Sequence, residues 1–141
     1  MTANQIIPGL WIGDIDDAAR FRNGKVLSVL ENMPTIFDDY HVAIVSRYRK
    51  EKERWNGRTF SFPVPVVSVD RLDKAAHIID QCQKKGEPLL VHCRVGIERS
   101  PLTVAWWLVR SGRAKNLDQA YNIIKKRRPQ VVDRQDWVKW T

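Results

Sequence analysis

His92, Cys93, Gly96, Arg99 and Ser100 fall within nine residues of the segment LLVHCRVGIERSP, residues 89–101. The apolar run PLLVH (88–92) leads straight into Cys93, and a helical pattern begins near Ser100, so residues 94–99 must turn sharply between strand and helix. Such a turn gathers backbone N–H groups at a helix N-terminus, where unsatisfied donors and the helix dipole favour an anion. Gly96 supplies the backbone freedom, and Arg99 brings a planar fork that can hold two oxygens of a tetrahedral oxyanion. The positive potential that draws the anion also favours thiolate over thiol at Cys93, which makes that sulfur a nucleophile. Ser100 can donate a hydrogen bond to the sulfur and help it leave when a covalent intermediate breaks down. His92 either braces the loop through its backbone or is a plain strand residue. The chemistry implied is nucleophilic displacement at phosphorus, with the amides of Arg94, Val95, Gly96, Ile97, Glu98 and Arg99 cradling the oxygens.

The elements that must position this loop are legible at coarse scale. IIPGLWIG (6–13) reads as a short hairpin-edge strand, and DIDDAARFRNG (14–24), acidic at its start with glycine at its end, as a short helix. KVLSVLE (25–31) and HVAIV (41–45) are strand candidates, as is TFSFPVPVV (59–67), whose alternation should stop pairing at its prolines. From Asp70 the period becomes helical through Leu72, Ala75, Ala76 and Ile79, ending at Gly86. PLLVH is then a wholly apolar strand of the kind covered on both faces. SPLTVAWWLVRSG (100–112), NLDQAYNIIKKRRP (116–129) and DRQDWVKW (133–140) form a helical remainder. This order predicts one domain over 1–141 of α/β class: a central, mostly parallel, twisted sheet of four to five strands flanked by helices.

Composition narrows the surroundings. The 141 residues suit one core. No apolar run reaches membrane-spanning length, and the N-terminus lacks a basic region followed by an apolar one, so a cytoplasmic protein is expected. Two cysteines, Cys82 and Cys93, with no close cysteine–histidine set predict neither a disulfide scaffold nor a metal site, and no cofactor is called for. Lys and Arg outnumber Asp and Glu by 24 to 16, a net charge of +8 that favours anionic partners. The basic residues gather in RYRKEKERWNGR (47–58) and KKRRP (125–129), either a nucleic-acid patch or solvated helix and loop surface. Trp106 and Trp107 fall in an apolar helical pattern and are read as core. Cys82 is read as packing, with a resolving thiol for oxidised Cys93 as the alternative.

VHCRVGIERSP resembles the HCxxGxxRS signature of the cysteine-based protein tyrosine phosphatases, specifically the small dual-specificity group. IIPGLWIGDIDDA is similar to the opening strand and helix of those domains, KVLSVLE to their next strand, and LDQAYNIIKKRRPQVV to their penultimate helix with its Arg-Pro end. Residues 33–57 match least. The resemblance implies Cys93 as nucleophile, Arg99 as phosphate clamp and phosphocysteine chemistry without metal. The family's general acid is an aspartate shortly after an apolar strand end, but VPVVSVD puts Val66 and Val67 there. Asp70 is the nearest candidate, with Asp73 next; equally, Asp70 is what a helix N-terminus wants as a first-turn anion. Glu98 beside Arg99 is unusual near a dianion. It either pairs with a basic neighbour or supplies the missing acid. Arg94 either touches a second anionic group of the substrate or is plain surface.

The function expected is hydrolysis of phosphomonoesters, with phosphotyrosine and phosphoserine or phosphothreonine in protein as substrates, by a monomer. RNA 5′-phosphates and inositol phospholipids are the anionic alternatives. A phospho-ligand binding module without turnover is the competing class.

Overall fold

The structure, a computed structural model, describes residues 2–31 and 34–138. In chain order it contains β1 (Asn4–Ile7), β2 (Leu10–Gly13), α1 (Ile15–Arg20), β3 (Lys25–Ser28), β4 (Tyr40–His41), β5 (Val45–Trp55) and β6 (Arg58–Val67). There follow α2 (Val69–Lys85), β7 (Leu89–His92), α3 (Arg99–Arg110), α4 (Leu117–Arg127) and a 3₁₀ turn at Gln135–Trp137. Five strands form one mixed sheet in the order β1-β2-β7-β3-β4. β7 lies in its middle, parallel to β2 on one side and to β3 on the other, and only β1 runs antiparallel. The central place of β7 follows from its composition, because a strand with apolar residues on both faces can be satisfied only by cover on both. Leu89 and Val91 pack with Leu72, Ile79, Leu102 and Trp107 from α2 and α3, whereas Leu90 packs on the opposite face with Val26 and with Ala18 of α1. Trp106 and Trp107 are both buried.

Three of the helices, α1, α2 and α4, start at a side-chain cap. Ser68 caps α2 through the Arg71 amide at 3.4 Å, and Gly86 closes it in the left-handed region at φ 68°. Asn116 caps α4 through the Gln119 amide at 2.9 Å. Asp14 and Asp17 form a reciprocal capping box at the start of α1. No helix among the described residues is long and apolar enough to cross a membrane.

The structure departs from the sequence reading in five places. IIPGLWIG (6–13) is not one edge strand: it turns at Pro8 and Gly9, with Ile6–Ile7 in β1 and residues 10–13 forming β2, which lies inside the sheet. Of the expected strand 41–45 only His41, in β4, and Val45, at the start of β5, are strand, and residues 42–44 link two different sheets. β6 runs through Pro63 and Pro65, which sit opposite Lys50 and Tyr48, instead of stopping at them. A two-stranded ribbon has an outer edge where a missing N–H costs no ladder bond. Residues 47–58 are a strand and turn, not a helical or loop surface; Asn56 and Gly57, both at positive φ, close a long β5–β6 hairpin outside the main sheet. The expected helix 133–140 shortens to the 3₁₀ turn, after which Val138 bridges to Val67; residues 139–140 lie outside the described residues. The alternation of charges along 47–54 hid the strand, since neither face of β5 is apolar enough to give a period-2 signal.

Candidate active site

β7 delivers His92 and Cys93 to the carboxyl edge of the sheet, and α3 begins at Arg99. Crevices outside the carboxyl ends of parallel strands are the usual ligand sites of such sheets. The loop between them is held almost entirely by its carbonyls. Arg94 O accepts from the Ile15 amide (3.1 Å) and Ile97 O from the Val132 amide (2.8 Å). Gly96 O accepts from Arg128 Nε (2.8 Å), and Val95 O from Arg128 Nη2 (3.4 Å). Across a trans peptide the next N–H points opposite to the carbonyl, so four outward carbonyls turn the amides of Val95, Gly96, Ile97 and Glu98 inward. The Gly96 amide donates to Cys93 Sγ at 3.3 Å. Among the described residues the amides of Arg94, Val95, Ile97 and Glu98 donate to no protein group. Donors left unpaired around a buried sulfur at a helix N-terminus are what an oxyanion requires.

Gly96 is fixed by space as well as by its φ of 78°. A Cβ there would lie 2.5 Å from Gly13 O and 2.8 Å from Arg128 Nη2. Both are part of the loop's scaffold, so neither can yield cheaply. Arg128 itself is completely buried, and besides the loop it binds Thr2 O at 3.2 Å and Asn4 Oδ1 at 2.6 Å. Burial pushes its guanidinium below the usual arginine range, against the opposing pull of Asp17, Asp14 and the Cys93 sulfur. It stays charged, so a cation lies permanently behind the loop.

Cys93 is buried, and Ser100 Oγ lies 3.2 Å from its sulfur. His92, fully buried, places Nδ1 3.3 Å from Cys93 O and Nε2 2.6 Å from Asp38 Oδ1. The Asp38 side chain is 1% exposed and also accepts from the Thr35 amide and hydroxyl at 2.8 and 3.2 Å. Arg99 is held by Glu31, Nε to Oε1 at 2.6 Å and Nη2 to Oε2 at 3.1 Å, and its Nη2 lies 3.2 Å from the Tyr48 hydroxyl. Tyr48 in turn donates to Glu31, and Trp137 lies under the guanidinium at 5.9 Å. Burial pulls the Glu31 carboxyl upward, but the hydrogen bonds from Tyr48 and Arg99 and the guanidinium charge outweigh it and hold the carboxyl below its ordinary value.

The remaining candidates separate. Glu98 Oε2 accepts from Arg134 Nε at 2.7 Å, the pairing with a basic neighbour that its sequence position invites. Asp73 is occupied by Trp106 Nε1 (2.7 Å) and by Arg110 Nε (3.1 Å), on the face where α2 meets α3. Asp70 is exposed in the first turn of α2, and among the described residues no hydrogen bond or ion pair holds it. Arg94 is exposed. Cys82 is buried on α2, and burial, with Glu87, pushes its thiol up. Asp38, Tyr48, Arg128 and Trp137 were not singled out from the sequence. Glu31 had one usable signal, a carboxylate closing an apolar strand at the edge where ligands bind. Asp38 and Tyr48 come from the stretch with the least recognisable pattern.

A mixed α/β sheet whose central strand ends in a cysteine, an anion-cradling loop and an arginine defines a phosphate-loop protein of the cysteine phosphatase type. The family "Dual specificity phosphatase, catalytic domain" matches residues 65–140, and the chain belongs to that family. It is 26% identical to the putative tyrosine phosphatase 123R of Invertebrate iridescent virus 6, over 99% of this chain and 89% of that protein. To human dual specificity protein phosphatase 9 it is 23% identical over 90% of this chain and 32% of that protein, so it spans about a third of the latter. Crystal structures of DUSP15 (TM-score 0.67, 18% identity, 96% of this chain and 82% of the other) and of human DUSP28 (0.67, 16%, 95% and 89%) share the fold.

Proposed function

We propose that the chain hydrolyses phosphomonoesters through a phosphocysteine on Cys93, with proteins carrying phosphotyrosine and phosphoserine or phosphothreonine as substrates. The observation that supports this most is the loop 94–98, whose carbonyls are tied outward while its amides and the Cys93 sulfur face one concavity. Cys93 Sγ attacks phosphorus in line as the P–O bond to the leaving group breaks, and Asp70 gives that oxygen its proton. Water then attacks phosphorus, the S–P bond breaks, and a hydrogen bond from Ser100 stabilises the departing thiolate. Arg99 and the amides hold the equatorial oxygens throughout. His92, fixed by Asp38, keeps the strand-to-loop junction in register. No segment for recognising tyrosine alone was found in the sequence, which favours a shallow pocket open to both ester types. We read the whole chain as one catalytic domain, working as a monomer in the cytoplasm, where two unpaired cysteines such as these persist.

Turnover of a small aryl phosphate tests the reading, because a good leaving group needs little protonation. Wild-type turnover that disappears in Cys93→Ser supports it. A wild type that binds phosphopeptide without turning over the aryl phosphate instead supports a binding module. That second reading draws on one observation: the Arg99 edge formed by Nε and Nη2 is already taken by Glu31. For Asp70, Asp70→Asn slows poor leaving groups far more than good ones if Asp70 is the acid, and slows both equally if it is not.

A further inference from the structure

The β5–β6 hairpin stands outside the five-stranded sheet, and its pairing sorts its side chains onto two unlike faces. Tyr48 opposite Pro65, Lys50 opposite Pro63, Lys52 opposite Ser61 and Arg54 opposite Thr59 share one face. The alternate pairs put Phe60, Phe62 and Trp55 on the other, together with Glu51 and Glu53. The Tyr48 hydroxyl lies 3.2 Å from Arg99 Nη2, so the basic face is the one turned toward the Cys93 site. From there Lys50, Lys52 and Arg54 step away at about 6.8 Å per pair of residues, a row of roughly 20 Å from Tyr48. All three are exposed, and among the described residues none has an ion-pair partner. Glu51, the acidic residue between two of them, is paired with Arg49 on its own face.

We propose that β5 is a docking arm for an acidic, extended stretch of the phosphoprotein substrate, next to the phosphorylated residue. The proposal rests on the phosphatase reading of the Cys93 loop and adds to it what lies beyond the phosphate. Three features select this occupant. Carboxylates at alternate positions of an extended peptide repeat at the spacing of the cations. β5 has eleven residues without a proline, and among the described residues no backbone group of residues 46–54 bonds outside the hairpin. That edge is open to an added strand. Bases of a single-stranded nucleic acid, by contrast, need a series of aromatic rings beside the cations; Phe60, Phe62 and Trp55 are on the other face, and Tyr48, the one hairpin ring on the basic face, is tied by its hydroxyl to Glu31 and Arg99. The root of the arm is anchored to α2 by Arg71 Nη1 on Val45 O at 2.9 Å, so a bound stretch keeps a fixed relation to the site.

The test compares a phosphopeptide flanked by alternating glutamates, its glutamine counterpart and a small aryl phosphate. Wild-type kcat/KM for the acidic peptide should exceed that for the neutral one by about tenfold at low salt, as three exposed ion pairs would give. The preference should collapse at 0.5 M salt, a condition of the experiment chosen to screen exposed pairs. The combined Lys50→Glu, Lys52→Glu, Arg54→Glu variant should lose that preference and keep aryl phosphate turnover within about twofold, which also reports that it is folded. Equal loss on all three substrates, no wild-type preference, or, with a 5′-phosphorylated RNA assayed alongside them, a loss confined to the RNA overturns the proposal. If no substrate is turned over, the phosphatase reading has failed and the arm is read separately, by fluorescence anisotropy of the two peptides on the Cys93→Ser protein. Stronger binding of the acidic peptide, absent in the triple variant, supports the arm, and equal binding overturns it.

Discussion

Arg99 is held before any phosphate arrives. Glu31 takes Nε and one Nη2 hydrogen, and Tyr48 lies against the same Nη2, so the Nη1 side of the guanidinium is what remains for a ligand. A fixed guanidinium loses less rotamer freedom when phosphate binds, and Glu31 therefore acts as a positioning residue. Glu31→Gln should raise KM about fivefold while kcat changes less, a loss near 1 kcal/mol of the kind one charge-assisted bond supplies. The same pair carries a pH signature. Because its folded-state carboxyl sits below the ordinary 4.5, the pair stabilises the fold fully at neutral pH and loses that contribution as pH falls below 4.5 through the depressed value. The difference in urea midpoint between wild type and Glu31→Gln should therefore narrow from pH 7 to about pH 3.5; a constant difference would show that charge is not what Glu31 contributes. Asp38 makes a harsher case. Its side chain and that of His92 are both buried, so Asp38→Ala strands an imidazole nitrogen and releases Thr35, costing about 3 kcal/mol in denaturant unfolding.

At the scale of elements, the loop 94–98 is shaped from outside by α1, the chain after α4 and Arg128. Gly96→Ala would push a methyl into Gly13 O and Arg128 Nη2. Activity should fall at least tenfold with a stability loss of about 1 to 3 kcal/mol, read from aryl phosphate turnover and the unfolding midpoint; a fully active Gly96→Ala would refute this account of the loop. The strand-loop-helix unit was legible in the sequence because its signals are local: an apolar run, glycine, then proline early in a helix. The partners that set its geometry were not. Asp38 is separated from His92 by 54 residues and Tyr48 from Arg99 by 51, and nothing in the composition of residues 33–57 advertises either contact. The hairpin was missed for a related reason, since a ribbon exposed on both sides lacks the alternation of apolar and polar residues that reveals a half-buried strand. Arg128 was hidden in a basic run whose other members, Lys125, Lys126 and Arg127, are solvated; only burial distinguishes it.

For the molecule as a whole, the loop couples anion binding to folding. Its amides and Arg99 converge only when β7, α3, α1 and the segment after α4 are all in place, so the unfolded chain has no comparable site, and on the proposed reading phosphate should bind the native state alone. A ligand of that kind stabilises by RT ln(1 + [L]/Kd), about 2.7 kcal/mol at a hundredfold excess over Kd. For a chain of 141 residues each kcal/mol raises Tm by roughly 2 to 5 °C, so saturating phosphate or the unreactive analogue sulfate should raise it by about 5 to 13 °C. The net charge of +8 offers a competing cause, because any salt relieves self-repulsion in a basic protein. The two are separable. General screening depends on ionic strength alone, acts equally on Arg99→Ala and is matched by chloride, whereas binding at the loop saturates, favours the tetrahedral anions and is weakened in Arg99→Ala. Scanning calorimetry of both proteins in phosphate and in chloride at equal ionic strength decides between them. A rise that is linear in salt and identical in both proteins would mean that the loop does not hold the anion its geometry suits.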